Sequence, residues 1–241
     1  MTDIEKLYKM RDKVAEKKKQ LHPLVLEKFE QSFIIEYTHH STAIEGNTLT
    51  LAETKLVLED KISVGAKPLR EIYEVINHQK AFNFIERQIS ENQKLDENTL
   101  KDTHQILMEN IMQGGIYRNC EVRITGAKHK PPSANEAFYQ MKDFFADLYT
   151  KNISNAIISA AWTHAEFVKI HPFIDGNGRT ARLIMNYRLM ENGFLPVSIP
   201  NENRLKYYSV LENYDLHGDL SPFCEMIFEL EMQRLQEYLD I

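Results

Sequence analysis

An all-α fold is predicted by the apolar pattern of this chain, in which hydrophobic residues recur every three or four positions along nearly the whole length. Capping boxes and first-turn prolines supply helix starts at intervals, and only the segment 116–127 departs from the helical spacing. The sequence holds no internal repeat, low-complexity tract or flexible linker. We therefore expect its 241 residues to form one compact helical body.

Local signals place the individual helices. Thr50 and Ser133 open capping boxes with the glutamates three residues later, Pro23 stands at a first-turn position, and Gly193 provides a left-handed stop. Together with the apolar spacing, they predict helices over residues 4–19, 23–37, 51–61, 68–89, 97–111, 134–149, 156–170, 180–191, 203–211 and 222–239.

The segment 116–127 breaks this pattern. Its residues alternate in polarity and are rich in β-formers, and Pro131 and Pro132 follow it. This composition predicts a short β-hairpin or ribbon between two helices.

Composition and charge exclude several classes of protein. The net charge is −6, so a role in binding nucleic acid has no overall electrostatic support. The beginning of the chain lacks an apolar signal core, and no stretch approaches about 20 apolar residues, so we expect no membrane span. Cys120 and Cys224 lack metal-site spacing. One disulfide between them is left open, but a reduced compartment is the simpler interpretation, and we expect a soluble, cytoplasmic protein.

The run from His171 to Arg182, HPFIDGNGRTAR, is the most informative segment of the chain. It places a base, a carboxylate, two glycines, an amide and two arginines between two predicted helices. The turn at 175–178 opens the second helix, and helix-opening amides together with the macrodipole bind anions. Arg179 lies three residues before Arg182, so both share one helix face and can clamp a polyphosphate. The run therefore predicts a phosphate site with His171 at its edge.

This run resembles the HPFx(D/E)GNGRxxR signature of Fic proteins, with every specified position filled. Fic proteins generally transfer AMP from ATP to a hydroxyl side chain of another protein, and the resemblance implies that activity and a Fic-fold helical bundle. It implies that His171 is the general base on the target hydroxyl, that Asp175 binds Mg²⁺ and that Arg182 contacts the γ-phosphate. The phosphate-binding residues that it implies are Gly176, Asn177, Gly178, Arg179 and Arg182.

A second motif lies far upstream, in the segment 41–47, which reads STAIEGN. It resembles the inhibitory (S/T)xxxE(G/N) motif that class II Fic proteins carry before the core, and this implies that Glu45 enters the active site and pairs with Arg182. The residues agree with that role, because Ser41 and Glu45 lie one helical turn apart on one face. A carboxylate paired with Arg182 would occupy the arginine that the γ-phosphate needs. ATP would then be misplaced for in-line attack.

The resemblance extends over about residues 33–215 and assigns a role to the irregular segment as well. Residues 116–127 lie where Fic proteins carry their flap, which aligns the target backbone by strand addition and covers the nucleotide. The resemblance also implies that a tyrosine pair lies beside the adenine ring. The flap and adenine contacts that it implies are Ile124, Thr125, Gly126, Ala127, Tyr207 and Tyr208.

We predict an N-terminal helical region over 1–97, which carries the inhibitory segment, and a catalytic core over 98–235. The leading function is a self-inhibited protein adenylyltransferase that uses ATP and Mg²⁺ on a Ser, Thr or Tyr hydroxyl of a target protein or of itself. The sequence leaves open a hydrolase that removes AMP with the same site, and a non-catalytic nucleotide-sensing interaction protein. It also leaves open the identity of the target, the donor nucleotide and whether the protein forms a homodimer, as relatives often do.

Overall fold

A computed structural model of the chain describes residues 3–124, 128–151 and 153–241. The described residues are α-helical apart from loops, turns and one 3₁₀ turn at Asn201–Asn203. In chain order the helices are α1 Asp3–Lys18, α2 Pro23–Ile44, α3 Leu51–Leu58, α4 Leu69–Ser90, α5 Glu97–Leu107, α6 Ala134–Thr150, α7 Ala156–Ile170, α8 Asn177–Glu191, α9 Arg204–His217 and α10 Ser221–Asp240. The all-α bundle predicted from the sequence is therefore confirmed.

Side-chain caps begin several of these helices as the sequence predicts. Both capping boxes form: the Thr50 hydroxyl accepts from the Glu53 amide and the Ser133 hydroxyl from the Glu136 amide, while each glutamate accepts from its cap residue. Asn155 accepts from two amides of the first turn of α7. Because such caps satisfy amides that have no intrahelical partner, they fix where α3, α6 and α7 begin.

Helices α7 and α8 form the centre of the bundle. They pack on each other along their length. Helices α2, α4 and α5 pack on α8, and helices α6, α9 and α10 pack on α7. Most residues of both central helices are buried, including Phe167 and Tyr187. α1 packs on α10, so contacts also join the predicted N-terminal region to the end of the catalytic core. The short loop between α7 and α8 is consequently held from several sides.

Helix α2 extends more than one turn further at its C-terminal end than the sequence predicts. It continues from the predicted end near Tyr37 to Ile44, through polar residues that the structure buries. The hydroxyl of Thr42 donates to the carbonyls of Thr38 and His39, so a buried polar side chain is satisfied without leaving the helix. This extension brings Ser41 to the centre of the bundle.

The predicted hairpin at 116–127 is wrong for the part of the segment that the structure describes. Residues 116–124 and 128–133 contain no strand, and Thr125, Gly126 and Ala127 lie outside the described residues. The reason is that backbone groups here pair with loops instead of a second strand. The Arg118 amide donates to the Pro172 carbonyl (2.8 Å), and the Arg118 side chain donates to three further carbonyls.

Two further expectations are settled by the fold. Cys120 and Cys224 are both free thiols, so the disulfide that the sequence left open is not formed. Within the described ranges, no helix combines the length and the apolar character that crossing a membrane requires.

Candidate active site

The loop between α7 and α8 is shaped by two residues in left-handed conformations. His171 ends α7 at φ 52° and Gly176 precedes α8 at φ 75°. Gly176 has a second reason to lack a side chain: a Cβ there would lie 3.0 Å from the Met108 sulfur and 3.3 Å from the His104 ring. The loop therefore reverses direction within a few residues and presents the N-terminus of α8 beside His171.

Asn177, the first residue of α8, has its side chain turned into this loop. Its Oδ1 accepts from the Phe173 amide and its Nδ2 donates to the Phe173 carbonyl, both at 2.9 Å, and the residue is 2% exposed. The side chain thus supports the loop, and only the backbone N–H of Asn177 can serve the predicted phosphate contact. Since α8 begins here rather than at the predicted residue 180, the amides of Gly178 and Arg179 lie in its first turn, without intrahelical acceptors.

His104, which the sequence analysis did not single out, fixes the other side of the loop. Its Nδ1 accepts from the Gly115 amide, so its Nε2 carries the proton that it donates to the Asp175 carbonyl, each at 2.9 Å. The imidazole also stacks on the Phe173 ring with centroids 3.6 Å apart. Burial lowers the pKa of His104 to about 4, which keeps the ring neutral and this tautomer in place.

Arg182 is the most completely engaged cation of the site and is 1% exposed. Its Nε donates to the Ser41 hydroxyl (2.9 Å), its Nη2 to the Ser41 carbonyl (2.7 Å) and to Glu45 Oε1 (2.8 Å), and its Nη1 to the Tyr207 hydroxyl (3.3 Å). The Tyr207 hydroxyl also shares a 2.8 Å hydrogen bond with His164 Nε2. Burial alone would lower the pKa of Arg182, but Tyr207 and Glu45 outweigh it and raise the pKa.

The predicted pairing of Glu45 with Arg182 is therefore present. Glu45 follows the last residue of α2, with its side chain about one-third exposed (34%). The carboxylate also lies over the first turn of α8, because a Cβ on Gly178 would come within 2.2 Å of Glu45 Oε1. Glu45 thus holds an anionic group at the anion-binding end of α8.

Arg179 lies on the same face of α8 and is also 1% exposed. Its guanidinium is 3.4 Å from Glu74 Oε1 and 3.4 Å from Asp175 Oδ1, and its buried Nε has no hydrogen-bond partner in the described structure. A buried guanidinium with an unused N–H donor can still bind an anion by donating to it. Glu74, the main counter-charge of Arg179, was missed by sequence reasoning because it reads as one more acidic position on α4.

His171 is poised as a neutral imidazole. Burial lowers its pKa to about 4, and the charge of Arg118 acts in the same direction. Arg118 also fixes the backbone of this residue, because its Nε donates to the His171 carbonyl at 2.8 Å while its Nη1 donates to the Cys120 carbonyl at 2.9 Å. One buried side chain, that of Arg118, therefore holds both the backbone at Cys120 and the backbone at His171.

Asp175 lies at the mouth of the site with its side chain 36% exposed. Burial alone would raise the pKa of its carboxyl, but Arg179, the Gly176 amide and Arg70 together lower it. An ionised carboxylate beside a phosphate site fits Mg²⁺, which needs one or two carboxylates when phosphate oxygens and water complete its shell. No group of three or more His, Cys, Asp or Glu side chains suited to a metal lies within the described ranges, at this site or away from it.

The predicted adenine contacts are placed differently from one another. Tyr207 is 1% exposed and bonded to Arg182, so its buried ring supports the arginine and is not offered to a nucleotide in this arrangement. Tyr208 is 39% exposed and donates to the Ile44 carbonyl at 3.1 Å. Ile124 is partly exposed, and the other three flap contacts lie outside the described residues.

Replacing Tyr207 with Phe should lower the free energy of unfolding by about 1–3 kcal/mol, because the buried Arg182 and His164 each lose a hydrogen-bond partner. Tyr238→Phe is the matched control: Tyr238 is also buried, but its hydroxyl bonds the half-exposed Glu30, which water can satisfy instead. Urea unfolding measures both variants. Equal losses would show that Tyr207 gives Arg182 no particular support.

Comparison with known proteins agrees with this geometry. The Fic/DOC family model matches residues 94–189. The chain is 35% identical over 208 residues to a protein adenylyltransferase Fic of Drosophila erecta, which covers 85% of this chain and 41% of that protein. A protein of the same name from Aedes aegypti is 34% identical over 223 residues, covering 90% and 44%. The chain therefore spans about two-fifths of the length of these curated relatives. The solved structure of Fic-1 (residues 134–508) from C. elegans superposes with a TM-score of 0.88 at 30% identity, covering 99% of this chain and 71% of that one. This chain belongs to the Fic family.

Proposed function

We propose that the protein is a self-inhibited protein adenylyltransferase, which transfers AMP from ATP to a hydroxyl group of a target protein or of itself. The observation that carries the proposal is the start of α8, where first-turn amides without intrahelical acceptors and two buried arginines directly follow a loop that begins with a neutral histidine. The names of the relatives above support the reaction, and the matched family model covers residues 94–189, which include His171, Asp175 and both arginines.

In the proposed reaction the target hydroxyl oxygen attacks the α-phosphorus of ATP. A bond forms between them, the bond from that phosphorus to the bridging oxygen breaks, and pyrophosphate leaves. His171 takes the proton that the hydroxyl gives up, which its neutral imidazole can do at pH 7. The amides of Gly178 and Arg179 and the two arginine side chains offset the negative charge on the phosphates, which is the main task in this type of transfer.

Mg²⁺ belongs to this proposal as an ion with Asp175 as its protein ligand. When bound, it would neutralise phosphate charge and help to orient the leaving group. Asp175 supplies an ionised oxygen at the mouth of the site, and the phosphates supply the remaining anionic oxygens.

Self-inhibition follows from the position of Glu45. Its carboxylate bonds Arg182 and lies against Gly178, so it takes the cation that a terminal phosphate would use and fills space beside the first turn of α8. A phosphate brought to that point would meet a like charge at close range. The site is thus closed to a productive polyphosphate while Glu45 remains in it.

Glu45→Gly should activate the protein, because it frees Arg182 and the first turn of α8. Intact-mass spectrometry of the purified variant with ATP and Mg²⁺ should show the addition of an AMP moiety, while the original protein shows much less. ATP binding without any covalent addition in the variant would favour the non-catalytic nucleotide sensor instead.

The same assay separates the effect of removing the Glu45 carboxylate from the effect of merely breaking its ion pair with Arg182. Arg182→Ala also breaks the pair but removes the arginine that binds phosphate, so neither Arg182→Ala nor the double variant with Glu45→Gly should be active. High activity of the double variant would mean that Arg182 does not bind phosphate.

His171→Ala in the Glu45→Gly background should lower transfer by about 10²–10⁴-fold, because a general base has been removed. Affinity for a non-hydrolysable ATP analogue should stay within about a few-fold, since the imidazole acts on the incoming hydroxyl. Calorimetric titration of the analogue measures binding. Transfer at an undiminished rate would exclude His171 as the base.

The pH profile of transfer should lack the usual histidine step. A depressed pKa keeps His171 in its active neutral form well below pH 6.5, and activity is lost only as the pH falls towards about 4. In Glu45→Gly the pKa should be lower still, because Glu45 acts to raise it. kcat/KM should therefore change by less than about twofold between pH 5.5 and 8. An inflection near the ordinary histidine pKa would contradict the burial argument.

Removal of AMP from a modified protein is a second function that one observation favours. The Glu45 carboxylate is partly exposed and close enough to influence the pKa of His171, so it could orient a water for attack on a phosphodiester. The water oxygen would bond to the phosphorus and give a proton to His171, the bond from phosphorus to the target oxygen would break, and His171 would pass that proton to the leaving oxygen as AMP is released. Loss of label from a modified target, faster in the original protein than in Glu45→Gly, would identify this direction. Homodimer formation and a cytoplasmic location stay predictions.

A further inference from the structure

Arg70 is a cation of the site that the sequence analysis did not find. It is the second residue of α4, and its side chain is 56% exposed. Its Nη2 pairs with Asp175 Oδ2, and its Nε donates to Glu74 Oε1 at 3.2 Å. Arg70 thus bridges the carboxylate at the mouth of the site and the carboxylate that faces Arg179.

Both oxygens of Asp175 are already in use. Oδ1 accepts from the Gly176 amide at 2.6 Å and lies 3.4 Å from Arg179 Nη2, while Oδ2 faces Arg70. The Gly176 amide is fixed in a left-handed turn, and the Arg179 side chain is 2% exposed and held inside the bundle. Of the three partners, only Arg70 can withdraw into solvent without disturbing buried structure.

We infer that Arg70 is a resident counter-ion of Asp175, which a divalent cation must displace in order to bind. This inference rests on the proposed role of Asp175 as the metal ligand. Arg70 and the cation are alternatives for chemical reasons: both need the same carboxylate oxygen, and two positive charges so close together repel. Exchange is easy because an ion pair with a largely exposed arginine adds little stability.

This arrangement makes the metal site depend on the nucleotide. Without phosphates, a cation would gain only one carboxylate oxygen in exchange for a coordinated water, which is too little to displace Arg70 from that oxygen. With phosphates present, anionic oxygens from the nucleotide add to the carboxylate, and they also draw the displaced guanidinium. Glu74 keeps Arg70 near the site after it leaves Asp175.

Arg70→Gln tests the exchange directly. The probe is Mn²⁺, titrated by electron paramagnetic resonance into Glu45→Gly protein, with and without Arg70→Gln, saturated with α,β-methylene-ATP, which cannot donate AMP. The Glu45→Gly background is used because Glu45 would otherwise compete with the phosphates for Arg182. The half-saturating Mn²⁺ concentration should fall between about twofold and tenfold in the variant, because the competing charge is gone. Since Arg70 is mostly exposed, the variant should fold normally, and its thermal unfolding serves to check this.

Arg87→Gln is the matched control. It removes the same charge from the last turn of the same helix, about 25 Å away along the axis, and should leave the Mn²⁺ curve unchanged. In an Asp175→Asn background, Arg70→Gln should have no effect beyond that of the control, because the shared carboxylate is absent. A persistent effect there would show that Arg70 acts only through its general field, and would overturn the exchange.

Three other results would also overturn it. An unchanged or higher half-saturating Mn²⁺ concentration in Arg70→Gln would mean that Arg70 does not compete. A large loss of metal-free analogue affinity would mean that Arg70 binds phosphate instead. If the nucleotide-bound Glu45→Gly protein takes up no Mn²⁺, the assignment of Asp175 fails together with this inference. AMP transfer by Glu45→Gly is measured separately and would still decide the proposed reaction.

Discussion

The buried charge of Arg182 is the interaction on which the arrangement of the site depends. An arginine keeps its proton in a protein, so its complete burial requires acceptors from the elements around it. Ser41 and Glu45 at the end of α2 supply three of them, and Tyr207 on α9 supplies another. One guanidinium therefore joins three helices at the point where α8 begins. In the proposed enzyme, inhibition is a competition between a carboxylate of the chain and a phosphate of the nucleotide for that single cation.

Buried imidazoles around the arginines carry no charge of their own. Burial lowers the pKa of His78, His104, His164 and His171, and the charge of Arg182 acts in the same direction on His78 and His164. The positive charge of the site is thus confined to guanidinium groups, and the imidazoles act as neutral donors and acceptors. For His171 this has a chemical consequence: it can accept a proton at neutral pH without a carboxylate partner. Asp175, the nearest acid in sequence, faces Arg70 and Arg179 instead.

The sequence predicted the helices and the residues of the α7–α8 loop well, because caps, apolar spacing and the motif are local signals. It also predicted that Glu45 meets Arg182, although this came from the resemblance. What it missed depends on contacts between distant segments. His104, Glu74 and Arg70 read as ordinary helix positions, and only the packing of α4 and α5 on α8 brings them to the loop. The hairpin was wrong because alternation in 116–124 reflects attachment through Arg118, not pairing with a strand. The adenine contacts stay predictions; Tyr207 is buried and hydrogen-bonded to Arg182 in this structure.

Segment 41–47 is held on both sides of Glu45, by the bonds of Ser41 to Arg182 and by Asn47, and in the proposed enzyme these attachments determine how Glu45 can release the site. Glu45 pairs with Arg182, while Asn47, two residues later, donates to Glu74 Oε2 at 3.0 Å and to the Glu71 carbonyl at 2.9 Å. Gly46 lies between them at φ 102° with open space around its α-carbon. The end of α2 is buried through Ile44, so undocking the whole helix would expose core. Rotation of the Glu45 side chain alone breaks only the hydrogen-bonded ion pair that its carboxylate makes with Arg182. The fixed points on either side therefore favour a local swing of one carboxylate, with α2 and the Asn47 anchor left in place.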